Sequence, residues 1–325
     1  MRYLIYGAGA VGATFGACLF ESGREVAFIA RGEHGRALAA NGLRFGTPSG
    51  WRTLPIPVVD HPARLTFRSD DIVVLAVKGT DTQAALDALA AVARAGTPIV
   101  CAQNGVENER RALRKFAHVH GMWTMLVAVH TEPGVVHAHN TPFSGICDVG
   151  RYPRGIDAVD ETVAADFEAA SLRCSPRADI MSRKYAKLLF NLMNVLEAAG
   201  GRGAAPGLVE RARAEAIACF EVAGIVPFAG SDERIAAMGM AAVEGVERGG
   251  GSTWQSLARG TPALEADDLN GEIVLLGRLH GVATPVNAFL QSLALRLVRD
   301  RVAPGSIASE ALEDEFGAWI AAGAR

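Results

Sequence analysis

The first twelve residues constrain the fold most. Met1–Tyr6 is a short apolar segment, Gly7-Ala8-Gly9-Ala10-Val11-Gly12 follows at once, and Ala13–Glu21 has the composition of a helix. Glycines at the first, third and sixth positions of a strand-to-helix turn each have a physical job. Gly7 permits the tight turn. Gly9 leaves room for a pyrophosphate that a Cβ would strike. Gly12 lets the helix pack closely on the strand. The helix N-terminus then offers unpaired N–H groups and the positive end of its dipole to phosphates. The segment predicts a dinucleotide site, the other reading being a glycine-rich structural turn.

At 325 residues, half of them hydrophobic, the chain suits two domains that each bury a core. A net charge of −3 without a basic run argues against nucleic acid as a partner. The cysteines (Cys18, Cys101, Cys147, Cys174 and Cys219) are odd in number and form no C-x-x-C pair. That fits buried thiols in a reducing cytoplasm. The apolar N-terminus is short and interrupted by the glycines, so no secretion signal is expected. No apolar stretch approaches the ~20 residues that span a bilayer, so no membrane partner is expected either. Of the 32 basic residues only four are lysine: Lys78, Lys115, Lys184 and Lys187. Lysine, unlike arginine, can release a proton when its pKa is lowered, so lysines kept against an arginine bias draw attention.

The apolar runs at Glu25–Ala30, Asp71–Lys78 and Pro98–Gln103 read as buried parallel strands, with helices at Gly35–Asn41, Thr80–Ala95 and Glu107–Phe116 between and after them. Leu43–Phe45 and Trp51–Val59 add short strands. Alternating strands and helices predict an α/β, doubly wound Rossmann-type N-terminal domain. Such sheets bind ligands at the carboxyl ends of their strands. The loops at Gly7–Gly12, Arg31, Lys78 and Gln103–Gly105 should therefore share one rim. His118–Gly150 reads as a β meander extending the sheet, Asp157–Ala170 as a helix and Leu172–Cys174 as an edge strand. After Arg177 the strand signal fades. Helices are expected at Asp179–Ala199, Gly207–Ala223, Ser231–Glu247, Leu264–His280 and Thr284–Arg301. This places a boundary near 177, with domains 1–177 and 178–325, the second all-α.

Three clusters could carry chemistry. Arg31 follows the second strand, where NAD-selective folds usually place an acidic residue. A guanidinium there can grip a 2′-phosphate, which favours NADP over NAD, although Glu33 lies close. Lys187, Asn191 and Asn194 have i, i+4, i+7 spacing within a strongly apolar helix, and Lys184 extends the stripe. Buried amides need partners, supplied either by a ligand or by a neighbouring helix. Glu265, Asp268 and Glu272 form an acidic cluster that either faces a site or complements a helix dipole.

The ordered motifs resemble those of the ketopantoate reductase family along essentially the whole chain. They are Gly7–Gly12, Arg31-Gly32, Ala76-Val77-Lys78, Ala102-Gln103-Asn104-Gly105, Tyr185-Ala186-Lys187-Leu188 with Asn191, Ser252–Gln255, Glu265–Gly271, Gly281–Pro285 and Asn287. The resemblance implies NADPH-dependent reduction of a 2-keto acid, most closely 2-dehydropantoate in pantothenate biosynthesis. It implies Lys187 as the catalytic lysine that protonates the carbonyl oxygen and Glu265 as the carboxylate that orients it. Asn191, Asn194 and Ser252 fall on the substrate side. Gly7, Ala8, Gly9, Ala10, Val11, Gly12, Arg31, Lys78, Gln103 and Asn104 fall on the cofactor side. A small 2-keto acid is then the partner, bound between the two domains, and assembly as a homodimer is left open.

Three departures lie on the substrate side. Asn194 comes three residues after Asn191 instead of a full turn, Ser256 stands where an acidic residue is usual, and Leu264 replaces a threonine. A related dehydrogenase on another ketone, secondary alcohol or keto acid–amine adduct therefore remains in view, as does an NADP(H)-binding sensor without chemistry. The sensor needs neither Lys187 nor Glu265. The alternating pairs His118/His120 and His137/His139 could ligate a metal, but they read as ordinary solvated strand histidines, and no metal is assigned.

Overall fold

β1 (Arg2–Tyr6) is buried along its whole length and organises the first half of the chain. It pairs in parallel with β2 (Glu25–Ile29) on one side and with β6 (Asp71–Leu75) on the other, Ile5 standing opposite Phe28 and Val74. Strand side chains alternate between faces, so Tyr3 and Ile5 enter one apolar layer and Leu4 and Tyr6 the other. The first layer includes Phe15 of α1 (Ala10–Glu21) and Phe167 of α5 (Ala158–Ala169); the second includes Leu86 and Leu89 of α3 (Thr82–Ala90). Helices α2 (Gly32–Asn41) and α4 (Asn108–Leu113) complete the crossovers. The structure, a computed structural model, describes every residue except Thr131, Glu247, Arg248, Ala324 and Arg325.

The main sheet has eight strands in the order β13-β12-β8-β7-β6-β1-β2-β5. Here β5 is Val58–Val59, β7 Ile99–Cys101, β8 Val119–Met125, β12 Gly145–Arg151 and β13 Leu172–Arg173. The doubly wound α/β reading is correct, but the meander over His118–Gly150 is only half right. β12 pairs directly and antiparallel with β8, from Ile146 opposite Met125 to Arg151 opposite His120. That occupies the free edge of β8. The intervening β9 (Ala128–Val129) and β10 (Val135–Ala138) join β3 (Leu43–Thr47) and β4 (Gly50–Leu54) in a separate four-stranded sheet.

The chain divides into two compact units that are not contiguous in sequence. The first holds residues 1–103, 108–181 and 230–248; the second holds 104–107, 182–229 and 249–325. The helix expected over Ser231–Glu247 is thus corrected (Glu247 itself lies outside the described residues). Only α9 (Glu233–Ala237) is helical, and β14 (Gly239–Met240) pairs with β11 (Asn140–Thr141). Tertiary contacts override helix propensity here. Arg234 grips the buried Asp148 of β12 with two hydrogen bonds of 2.8 and 2.7 Å, and Met238 packs against a cluster that includes Trp123 and Phe143.

The second unit is helical. It contains α6 (Ile180–Asn191, its first two residues counted with the first unit), α7 (Asn194–Gly200), α8 (Pro206–Ala223), α10 (Ser252–Ala258), α11 (Asn270–His280), α12 (Pro285–Arg299) and α13 (Ser309–Ala321). Tyr185 stacks edge-on against Phe220 to join α6 to α8, and Phe289 against Phe316 joins α12 to α13. Among the described residues no helix is long and apolar enough to cross a membrane.

The turn after β1 tolerates little change. Gly7 has φ +101°, and a Cβ there would stand 2.6 Å from the Val77 nitrogen and 2.7 Å from the Ala76 carbonyl carbon. Gly7→Ala should destabilise the protein by about 2–5 kcal/mol, combining left-handed strain with a backbone clash. Urea unfolding checks this, and a loss below about 0.5 kcal/mol, the scale of an ordinary surface change, would contradict the tight contact.

Candidate functional site

In the first unit the Gly7–Gly12, Arg31, Lys78 and Gln103 positions follow β1, β2, β6 and β7. These are four adjacent parallel strands, so the positions share the carboxyl rim of the sheet. The Gly7 amide donates to the Ile29 carbonyl at 3.0 Å, which ties the glycine turn to the end of β2. Helix α1 starts after Gly9 with no side-chain cap and no acidic residue in its first turn. Its opening N–H groups therefore present an anion-binding terminus. A Cβ on Gly12 would collide with the Gly7 carbonyl oxygen, so packing alone demands that glycine. Gly9 is different: the nearest atom a Cβ would meet is His130 Nδ1, at 4.0 Å. Packing gives Gly9 no reason to lack a side chain, whereas a diphosphate lying against the backbone does. The turn thus fits a dinucleotide.

Arg31 precedes α2 and is exposed; its guanidinium donates one hydrogen bond of 3.2 Å to Asp81. An exposed pair of this kind is worth about 0–1 kcal/mol, so the guanidinium is readily redirected to a ligand. Lys78 is half-buried, and its carbonyl accepts from the Asp81 amide to close a short turn. Gln103 is buried, and its side-chain nitrogen donates to Thr82 at 3.0 Å, Thr82 in turn donating to Asn108 at 2.8 Å. Asn104 opens the short stretch 104–107 that groups with the second unit. There Gly105 (φ +81°) lies so close to the Asp268 carbonyl that a Cβ would stand 2.9 Å from it.

In the second unit Lys184 and Asn191 are buried and Lys187 is half-buried on α6. Glu265, also buried, opens the 3-10 turn Glu265–Asp268. Lys187 and Glu265 are electrostatic neighbours. Burial, joined by the Lys184 charge, pushes the Lys187 ammonium down to about 7, against the opposing pull of the Glu265 carboxylate. Asn191 lies one turn further on, and its Oδ1 has no hydrogen-bond partner within the protein. A buried amide oxygen left this way costs about 1–3 kcal/mol, which a ligand donor can relieve. Ser252 is half-buried at the first position of α10, and its carbonyl accepts from Ser256 Oγ at 3.0 Å.

Asn194 does not continue the α6 stripe, which corrects the single helix expected over Asp179–Ala199. The helix breaks at Leu192–Met193 because its carbonyls are drawn sideways. Leu189 accepts from Arg213 Nε at 3.1 Å and Leu192 from Asn270 Nδ2 at 3.2 Å. Asn194 is instead the buried first residue of α7. The helix expected over Leu264–His280 is likewise split, at Leu269, into the 3-10 turn and α11.

Sequence reading left Asn287 without a role. It is fully buried, accepts from Asn270 at 3.0 Å, and donates to the Ala212 carbonyl at 3.0 Å and to Glu215 at 2.7 Å. Glu215 also accepts the Val286 and Asn287 amides, capping α12. The asparagine within the apolar run Pro285–Leu290 was the available signal.

His120, His137 and His139 are buried and not solvated as expected, whereas His118 is half-exposed. His120 is buried against Asp160 at 2.7 Å, and Asp157 lies within ligand reach of both. All four carboxylate oxygens of Asp157 and Asp160 are already committed to His120, Arg151 and the capping box of α5. His137 Nδ1 lies 2.9 Å from His139 Nε2, and burial together with His139 pushes the His137 imidazolium down to about 4.

Comparison with known proteins places this arrangement. The family model "Ketopantoate reductase PanE/ApbA" matches residues 3–154, and its C-terminal counterpart matches residues 179–297. A 2-dehydropantoate 2-reductase of Mesorhizobium japonicum is 30% identical, over 93% of this chain and 99% of its own length. That of Pyrococcus horikoshii is 31% identical over 59% of this chain, and the match spans only 61% of its length. A PanE/ApbA family ketopantoate reductase structure from Ralstonia eutropha superposes with a TM-score of 0.76 at 29% identity, covering 93% of this chain and 99% of that one. D-mandelate dehydrogenase, solved with NADH and anilino(oxo)acetate, shares the fold at a TM-score of 0.78 and 23% identity, over 93% of this chain and all of that one. The class defined is that of two-part proteins with a Rossmann-like half and a helical half. Within it, the chain belongs to the ketopantoate reductase family.

Asn287→Ala should cost about 2–4 kcal/mol, because at a fully buried position it removes the acceptor of Asn270 Nδ2 and the donor to the Ala212 carbonyl, and takes one of the donors from the half-buried Glu215. Denaturant unfolding tests this, and a change below about 0.5 kcal/mol would remove the network from its structural role.

Proposed function

We propose that the chain reduces a 2-keto acid to the 2-hydroxy acid with NADPH, 2-dehydropantoate or a close analogue being the substrate. The observation that carries this reading is Lys187, held near neutral pKa on one helix face with Asn191 and in reach of Glu265. NADPH, when bound, supplies the hydride. As hydride reaches the carbonyl carbon, charge develops on oxygen, and a cation with a transferable proton lowers that barrier. Lys187 is assigned that proton, and Glu265 keeps the ammonium oriented and partly charged at neutral pH. Asn191 Oδ1 is an acceptor for a substrate hydroxyl, and Ser252 and Asn194 are further substrate-side positions. Lys184, one turn before Lys187, adds the positive potential that attracts a carboxylate. Gly7–Gly12, Lys78, Gln103 and Asn104 serve the cofactor, and Arg31 its 2′-phosphate. The five cysteines are free and buried, which supports a cytoplasmic setting.

A second reading, a different 2-keto acid of the same class, is favoured by Ser256. Its hydroxyl is turned back onto the Ser252 carbonyl in place of the usual acidic group. A panel of 2-keto acids, followed by NADPH absorbance, separates the two readings.

Lys187→Ala should lower kcat by about 10²–10⁴ while leaving NADPH affinity nearly unchanged, and Lys187→Arg should recover little rate. Retention of most of the wild-type kcat would reject the assignment. The general acid must carry its proton, so kcat/KM for reduction should hold below pH about 7 and fall as pH rises through it. A profile flat across that range would equally reject it. Arg31→Ala should weaken NADPH by about 1.5–3 kcal/mol and leave NADH nearly untouched. Equal losses for the two cofactors would remove Arg31 from the 2′-phosphate.

A further inference from the structure

The glycine turn has a second wall that the motif does not contain. His34, in the first turn of α2, places Nε2 2.7 Å from the Ala8 carbonyl oxygen and Nδ1 2.9 Å from the Gly134 amide. A carbonyl only accepts and an amide N–H only donates. These two partners therefore fix His34 as the neutral imidazole with its proton on Nε2. His34 clips the glycine turn to the loop between β9 and β10. That loop is itself pressed onto α2: Gly134 has φ +79°, and a Cβ there would stand 3.1 Å from Ala37 Cβ.

His130, at the end of β9, stacks on this clip with ring centroids 4.0 Å apart and planes tilted by 51°. It is half-buried, and its Nδ1 is the atom that faces the bare Cα of Gly9. The position kept free of a side chain for phosphate approach is thus overlooked by an imidazole. The segment Gly7–Gly12 has no cationic side chain of its own. An imidazole N–H beside Gly9 adds a side-chain donor to an anionic diphosphate.

We propose that His130 is a cofactor-binding residue that hydrogen-bonds the dinucleotide's diphosphate beside Gly9, with His34 as the positioning residue that holds it there. The proposal rests on the NADPH reading above and concerns binding alone, so calorimetric titration of the purified protein tests it. Three probes are titrated: NADPH, 2′-phospho-ADP-ribose, which keeps the diphosphate but lacks nicotinamide, and adenosine 2′,5′-bisphosphate, which has no diphosphate. His130→Ala should weaken the first two by roughly tenfold or more, the scale of a charge-assisted hydrogen bond, and leave the third within about twofold. His34→Ala should lose NADPH affinity as well. His34→Gln should recover most of it, since one side-chain amide presents a donor and an acceptor at the spacing of the two ring nitrogens. Unchanged NADPH affinity in His130→Ala overturns the assignment, and so does an equal loss on all three probes, which would mark a role in loop folding. Wild-type protein that binds none of the three overturns the NADPH reading instead.

Discussion

The constraint that shapes the rim of the first unit is steric and sits at one atom. The backbone around Ala76 and Val77 runs so near Gly7 that no Cβ fits between them. This contact decides where β1 can turn and therefore where α1 begins. The N-terminus of α1, the end of β2 and the loop after β6 all take their places from that turn. Hydrogen bonds support it, from Ala76 to the Tyr6 carbonyl at 2.8 Å and from Gly7 to the Ile29 carbonyl at 3.0 Å. A side chain here would move three rim loops at once, so the strongest sequence signal falls on a position that the structure cannot vary.

The second unit depends on polar groups that the hydrophobic pattern does not announce. Burial on a largely apolar helix, joined by the charge of Lys184 one turn before, opposes the ionisation of Lys187, and the nearby Glu265 carboxylate only partly offsets that. Such an arrangement is costly for stability and useful for proton transfer, because a group poised near neutrality gives up and regains its proton with little driving force. The network of Asn270, Asn287 and Glu215 has the opposite character. Its hydrogen bonds are short and internal, and it fixes the break after Asn191 that separates α6 from α7.

Much of this was legible beforehand, and the reasons are specific. The parallel strands were visible because burial on both faces leaves near-continuous apolar runs such as Asp71–Val77. The stripe of Lys187 and Asn191 stood out as polar residues at helical spacing in an apolar segment. The fate of residues 230–248 was hidden, because their pairing with β11 and the grip of Arg234 on Asp148 are long-range and leave no local periodicity. The break at Leu192–Met193 was hidden for the same reason, since it is imposed by side chains of α8 and α11. The histidines misled because alternation on a strand does not tell which face is buried. His34 and His130 escaped notice entirely: nearly 100 positions separate them in sequence, and only the fold stacks their rings.

Residues 230–248 carry one more consequence. They are read between two stretches of the helical unit, yet they belong to the sheet-bearing one, clasped by His139 to Ala241 across 102 positions. Beyond the brief excursion at 104–107, the chain therefore leaves the first unit after residue 181, returns to it at 230 and leaves it again after 248. A protein threaded this way has no single point at which it can be cut into two self-sufficient pieces. A fragment ending near residue 181 would leave Asp148 and β11 facing solvent, and the complementary fragment would carry an orphaned strand. During synthesis the sheet-bearing unit cannot close until well over two thirds of the chain has emerged.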